Sequence, residues 1–122
     1  MPGWARRSIL PGLAGALLWL GPAHARPMHV RESKPSAQAV ISGRHAEYFI
    51  RFDGPVDHRA SRLQITQSGR VIRSLTPRID SAVDVLFASG EAPSPGDYML
   101  HWNAVSADGD VTEGDIPFSV SR

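Results

Sequence analysis

From residue 46 onward the chain repeats one pattern: apolar and polar residues alternate with a period of two, in runs separated by glycine, proline, serine and aspartate. That period puts successive side chains on opposite faces of an extended strand, whereas an amphipathic helix needs a period of 3.6. Ala46, Tyr48, Ile50 and Phe52 alternate with Glu47 and Arg51, and only Phe49 breaks the polar side. Leu63-Gln64-Ile65-Thr66 alternates, Ser68-Gly69 turns the chain, and Val71-Ile72 follows, which reads as a hairpin. Val83, Val85 and Phe87 alternate with Asp84. Tyr98, Leu100, Trp102 and Ala104 alternate with Met99, His101 and Asn103, and Ile116, Phe118 and Val120 with Pro117, Ser119 and Ser121. Gly54-Pro55, Ser89-Gly90, Pro93 to Gly96 and Asp108-Gly109 supply further turns. No stretch sustains a helical period. Short strands at such spacing predict an all-β antiparallel sandwich or barrel. The inward set is expected to include Tyr48, Ile50, Phe52, Leu63, Ile65, Val85, Phe87, Leu100, Trp102, Phe118 and Val120. Trp102 reads as core because of the area it buries.

The first 25 residues follow a different logic. Arg6 and Arg7 precede an apolar run from Ile9 to Leu20, and Ala23-His24-Ala25 supplies a small-x-small step. Positive, apolar, small is the order of a secretory signal, and the run is shorter than the roughly 20 residues that span a bilayer. Residues 1–25 are therefore expected to be a cleaved signal peptide, with one domain over 26–122. Arg6-Arg7 leaves both the general and the twin-arginine export routes open. Removing them leaves 11 basic side chains against 12 acidic ones. A near-neutral domain carries no basic field for nucleic acid or an anionic membrane, so neither nucleic-acid binding nor membrane insertion after processing is expected. The absence of cysteine excludes disulfides, thiolate metal sites and thiol nucleophiles.

No nucleophile elbow, phosphate-binding loop, zinc-protease helix or dinucleotide turn is present, so no enzyme activity is expected. Metal binding remains. Met28 and Met99 are the only possible soft ligands of the mature chain. His45 and His58 fall in turns and read as solvated loop residues, and His101 falls on the outer face of its strand, also solvated. Asp108 and Asp110 lie in a glycine-containing turn after a long strand. Neighbouring carboxylates repel unless a cation or donor joins them, although aspartate is also a common turn former.

The segment Tyr98-Met-Leu-His-Trp-Asn-Ala-Val-Ser-Ala-Asp-Gly-Asp-Val-Thr-Glu-Gly-Asp-Ile-Pro-Phe-Ser-Val120 resembles the closing motif of CopC-like copper resistance proteins. Ala23-His24-Ala25, then Ser33-Lys34-Pro35, and Phe52-Asp53-Gly54-Pro55-Val56 are similar to earlier steps of that family. The resemblance implies an immunoglobulin-like Greek-key sandwich of about seven strands, a periplasmic location, a Cu(II) ligand, and an inner-membrane copper transport protein as partner. It also implies a ligand set: the free terminal amine, a first-position histidine, and the Asp and His of a D-G-H turn. Here Asp108 matches that Asp, Asp110 replaces that His, and no Met-rich loop lies between Met28 and Met99. Cleavage after Ala25 makes His29 the nearest imidazole, and Pro27, lacking an amide hydrogen, blocks a backbone chelate to it. Cleavage after Ala23 instead frees His24 as the first residue. The expected metal residues are His29, Asp108, Asp110 and His24, in a copper-homeostasis domain with weakened Cu(II) binding. The alternative is an immunoglobulin-like structural or interaction module that has lost its metal.

Overall fold

The computed structural model describes residues 27–122. The expected signal peptide and His24 lie outside the described residues. Eight strands follow one another: β1 (Val30–Lys34), β2 (Ala39–Ile41), β3 (His45–Phe52), β4 (Arg62–Gln67), β5 (Arg70–Leu75), β6 (Val85–Glu91), β7 (Gly96–Val105) and β8 (Val111–Val120). They form two sheets, one ordered β1-β3-β6 and one ordered β2-β8-β7-β4-β5. After β5 the chain crosses to the other sheet for β6 and returns to lay β7 beside β4, the interleaving of a Greek-key sandwich. Periodicity signals neither β1, whose five residues show no alternation, nor β2, whose three residues are too few to show a period and which pairs parallel to β8.

The core lies between the sheets. Tyr48, Ile50, Leu63, Ile65, Leu86 and Leu100 are fully buried, with Phe52, Trp102 and Phe118 nearly so. Phe52 meets Trp102 edge-on at a centroid separation of 5.1 Å, and Tyr98 stacks on Phe118 at 5.9 Å. Trp102 lies across the backbone of its cross-strand partner Gly114. A Cβ at that glycine would stand 2.6 Å from the indole Cζ2, so the indole occupies the space a side chain would need.

The phase of β6 corrects one expectation. Leu86 and Ala88 face the core, opposite Ile50 and Tyr48, while Phe87 pairs with Phe49 on the outer face and is only partly buried. Val85 is buried but stands apart from the central apolar cluster, and Val83 is exposed before the strand begins. Apolar residues occupy both faces of Val85-Leu86-Phe87-Ala88, so alternation alone leaves the phase undetermined, and pairing with β3 sets it.

Two local devices fix the frame. Ser68 and Gly69 both take positive φ, 52° and 79°, as a two-residue hairpin turn between β4 and β5 requires. The Tyr98 hydroxyl donates to the Ser94 carbonyl at 2.6 Å, tying the start of β7 to the turn before it in the manner of a tyrosine corner.

Candidate metal site

Three segments meet at one end of the sandwich: residues 27–29 ahead of β1, Asp53-Gly54-Pro55 after β3, and the Ser106–Asp110 turn between β7 and β8. The turn is built on Ser106. Its amide donates to the Asp110 carbonyl at 2.9 Å, and its carbonyl accepts from Gly109 at 2.9 Å. Its hydroxyl oxygen accepts the amides of Asp108 and Asp110, each at 3.2 Å. Satisfying these amides internally fixes the backbone of the turn, in which Asp108 is exposed and Asp110 partly buried. A bridge between Val56 and Ser106, and an Asp57 amide donating to the Val105 carbonyl at 2.8 Å, hold the β3–β4 connection against the turn.

The leading segment is anchored as well. The Met28 amide donates to Thr112 Oγ1 on β8 at 3.0 Å, and the Met28 side chain is buried with the core. Next to it, His29 and Asp53 join through three contacts. The His29 amide donates to Asp53 Oδ1, the Asp53 amide donates to the His29 carbonyl, and His29 Nδ1 lies against Asp53 Oδ2, all at 3.0 Å. The backbone donation from His29, reinforced by its ring, holds the Asp53 carboxyl below the usual carboxylate range.

Pro27, Met28, Asp53, Gly54, Pro55, Ser106, Ala107, Asp108 and Asp110 line one open pocket of about 270 Å³. Of the expected residues, Asp108 and Asp110 share this pocket. His29 does not line it but is bound to Asp53, which does. His24 lies outside the described residues. Among the described residues no three His, Asp or Glu side chains converge as a complete metal-holding group. Asp53 is the member that sequence reasoning did not single out. Its partner His29 is 24 positions away, so no local spacing marks the pair; the only signal was its place in the Phe52–Val56 step.

The other histidines lie elsewhere. His58 Nε2 contacts the Ala82 carbonyl at 2.9 Å, and His45 begins β3. His101 is on the outer sheet face as expected but is less solvated than expected: its side chain is 23% exposed, between Asp115 at 2.8 Å and Glu113 at 3.3 Å. Met99 is exposed on the same strand.

Two sheets packed as a sandwich, with Asp53, Asp108 and Asp110 lining one pocket where the leading segment meets the β7–β8 turn, define a small β-sandwich domain. The CopC domain matches residues 30–121, and the chain belongs to the CopC family. Proteins of this family are copper resistance proteins, periplasmic and non-enzymatic, and the family binds copper. The fold is similar to the crystal structure of CopC from Methylosinus trichosporium OB3b, at 24% identity and a TM-score of 0.63 over 77% of this chain and 93% of that one. It is also similar to PcoC, a methionine-rich copper resistance protein from Escherichia coli, at 17% identity and a TM-score of 0.61 over 79% of this chain and all of that one, 100%. No curated protein matches the sequence significantly.

Proposed function

We propose that this chain is a periplasmic copper-handling domain that binds Cu(II) through nitrogen and oxygen donors at the pocket end of the sandwich, more weakly than a domain with a D-G-H turn. The observation that carries the reading is the one pocket that Asp53, Asp108 and Asp110 share where the leading segment is pinned, with His29 bound to Asp53 beside it. Imidazole and carboxylate donors suit Cu(II), and no thiolate competes. In this reading the signal over residues 1–25 is removed, and the new terminal amine, borne by Arg26 or by His24, completes the set. Asp110 offers an oxygen where an imidazole nitrogen would bind Cu(II) more strongly. An inner-membrane copper transport protein is the partner that would receive or supply the ion.

Cu(II) titration of the processed protein tests this. Asp110→His is expected to tighten binding and Asp108→Ala to weaken it. N-terminal mass analysis of exported protein decides which residue bears the amine. Because no complete three-residue group forms among the described residues, a second reading stands beside the first: an interaction module that keeps the sandwich and has lost the metal. Absence of Cu(II) binding in both the wild type and Asp110→His would favour that module.

A further inference from the structure

The β7–β8 hairpin is gripped on both faces at one level. On the inner face the Trp102 indole covers Gly114. On the outer face His101 stands between Glu113 and Asp115, the two carboxylates that flank that glycine in the chain. Its Nδ1 is hydrogen-bonded to Asp115 Oδ1 at 2.8 Å, directly across the strand pair. Its Nε2 lies 3.3 Å from Glu113 Oε1, on the diagonal. From β4, Gln64 stands opposite His101, and Arg62, opposite Asn103, is the one charged residue of that strand. On the far side β2 pairs only with Phe118, Ser119 and Val120, so it adds no charge at this level. The two carboxylates of β8 therefore set the environment of the ring.

Two acceptors around one imidazole make the arrangement dependent on its proton count. An ionised carboxylate only accepts hydrogen bonds, and a neutral imidazole carries one N–H. The shorter contact takes that hydrogen, so neutral His101 donates from Nδ1 to Asp115. Its Nε2 lone pair then faces Glu113, acceptor against acceptor. The Glu113 side chain is 61% exposed and free to swing into solvent. A second proton turns Nε2 into a donor and puts a positive charge beside Glu113.

We propose that His101 is a proton-gated clamp across β7 and β8: neutral, it holds Asp115 alone, and protonated, it takes Glu113 as a second partner. The stem it clamps carries the Ser106–Asp110 turn at its tip, so acidification adds a cross-strand contact to the hairpin that presents the acidic turn. The clamp requires no metal and stands apart from the copper reading. The sign follows from the proton: the Glu113 contribution is present when the ring is charged and is lost as pH rises and the ring becomes neutral, whereas the Asp115 contribution persists in both states.

Urea midpoints at about pH 5.5 and about pH 8.5, on either side of the ordinary imidazole value, test the clamp. Glu113→Gln is expected to lower the midpoint at the acid pH by roughly 0.1–0.5 M, the shift an exposed ion pair gives. At the alkaline pH the same change is expected to leave the midpoint level or raise it, because the amide can donate to Nε2. Asp115→Ala is expected to lower the midpoint at both. In a His101→Gln background, Glu113→Gln is expected to shift the midpoint equally at the two pH values, which separates the clamp from strand propensity. Long-range proton–nitrogen NMR at the alkaline pH is expected to show His101 as the Nδ1–H tautomer. An equal effect of Glu113→Gln at both pH values with His101 present overturns the proposal. So does a pH dependence that survives His101→Gln, an Asp115→Ala variant without loss at alkaline pH, or an Nε2–H tautomer there.

Discussion

At the scale of single residues, the fold depends on a few side chains whose environment permits little substitution. Gly114 has no Cβ because the Trp102 ring fills that space, with Cζ2 at 2.6 Å and Cε2 at 2.9 Å from the would-be atom. Both contacts are backbone-anchored on paired strands, so neither side can retreat cheaply. Gly114→Ala is expected to cost about 1–3 kcal/mol, the usual penalty of overpacking, and to change Trp102 emission in denaturant titrations. Trp102→Ala removes the ring from its edge-on contact with Phe52 and is expected to cost about 3–5 kcal/mol. Tyr98→Phe deletes one neutral hydrogen bond, to the Ser94 carbonyl, and is expected to cost about 0.5–1.5 kcal/mol. The Tyr48 hydroxyl is the opposite case: it is buried with no partner among the described residues, and desolvation raises its pKa. A buried donor without a partner is costly, so Tyr48→Phe is expected to leave stability unchanged or raise it in the same titration.

At the scale of elements, the β4–β5 hairpin shows how directly turn chemistry can set structure. Gly69 sits at φ 79° with open space where a Cβ would stand, so Gly69→Ala meets only the backbone penalty of a left-handed residue, about 1–2 kcal/mol. Equilibrium unfolding measures that cost, and unchanged Trp102 emission would place it in the turn alone. This hairpin was legible because Ser68-Gly69 separates two alternating runs. The same logic identified β3, β7 and β8, each eight to ten residues long, where alternation repeats often enough to fix the inward face. It failed on β6, where Leu86 and Phe87 are both large and apolar and the partner strand decides which one turns inward. It could not reveal β2, whose parallel pairing with β8 joins residues about 80 apart, such as Ala39 and Phe118. The candidate site was half legible for a related reason. Asp108 and Asp110 sit within one turn and are visible as neighbours, whereas Asp53 reaches His29 only through the antiparallel pairing of β1 with β3.

At the scale of the whole molecule, the two carboxyls whose pKa values fall on folding are both at the surface: Asp53 beside His29, and Asp80 hydrogen-bonded to the Arg78 guanidinium at 3.0–3.1 Å. A carboxyl depressed in the folded state adds stability above its unfolded pKa, near 4, and loses that contribution as pH falls through the folded value. The contribution of these two carboxyls is therefore expected to be level through neutral pH and to decline below about pH 4; the decline should be modest, because solvent screens both groups. Urea midpoints measured against pH should show a shallower acid decline in Asp53→Asn than in wild type.

The pinned leading segment has a practical consequence for anyone preparing the protein. Pro27 and Met28 form part of the pocket wall, so any peptide left upstream of them emerges beside the acidic turn. β8 runs away from that turn for ten residues, Val111 to Val120, about 30 Å at the rise of an extended strand. A purification handle fused after Arg122 thus sits at the remote pole of the sandwich, whereas one fused ahead of residue 27 crowds the pocket mouth and supplies its own donors. Copper stoichiometries obtained from amino-terminally tagged material would therefore describe the tag as much as the domain.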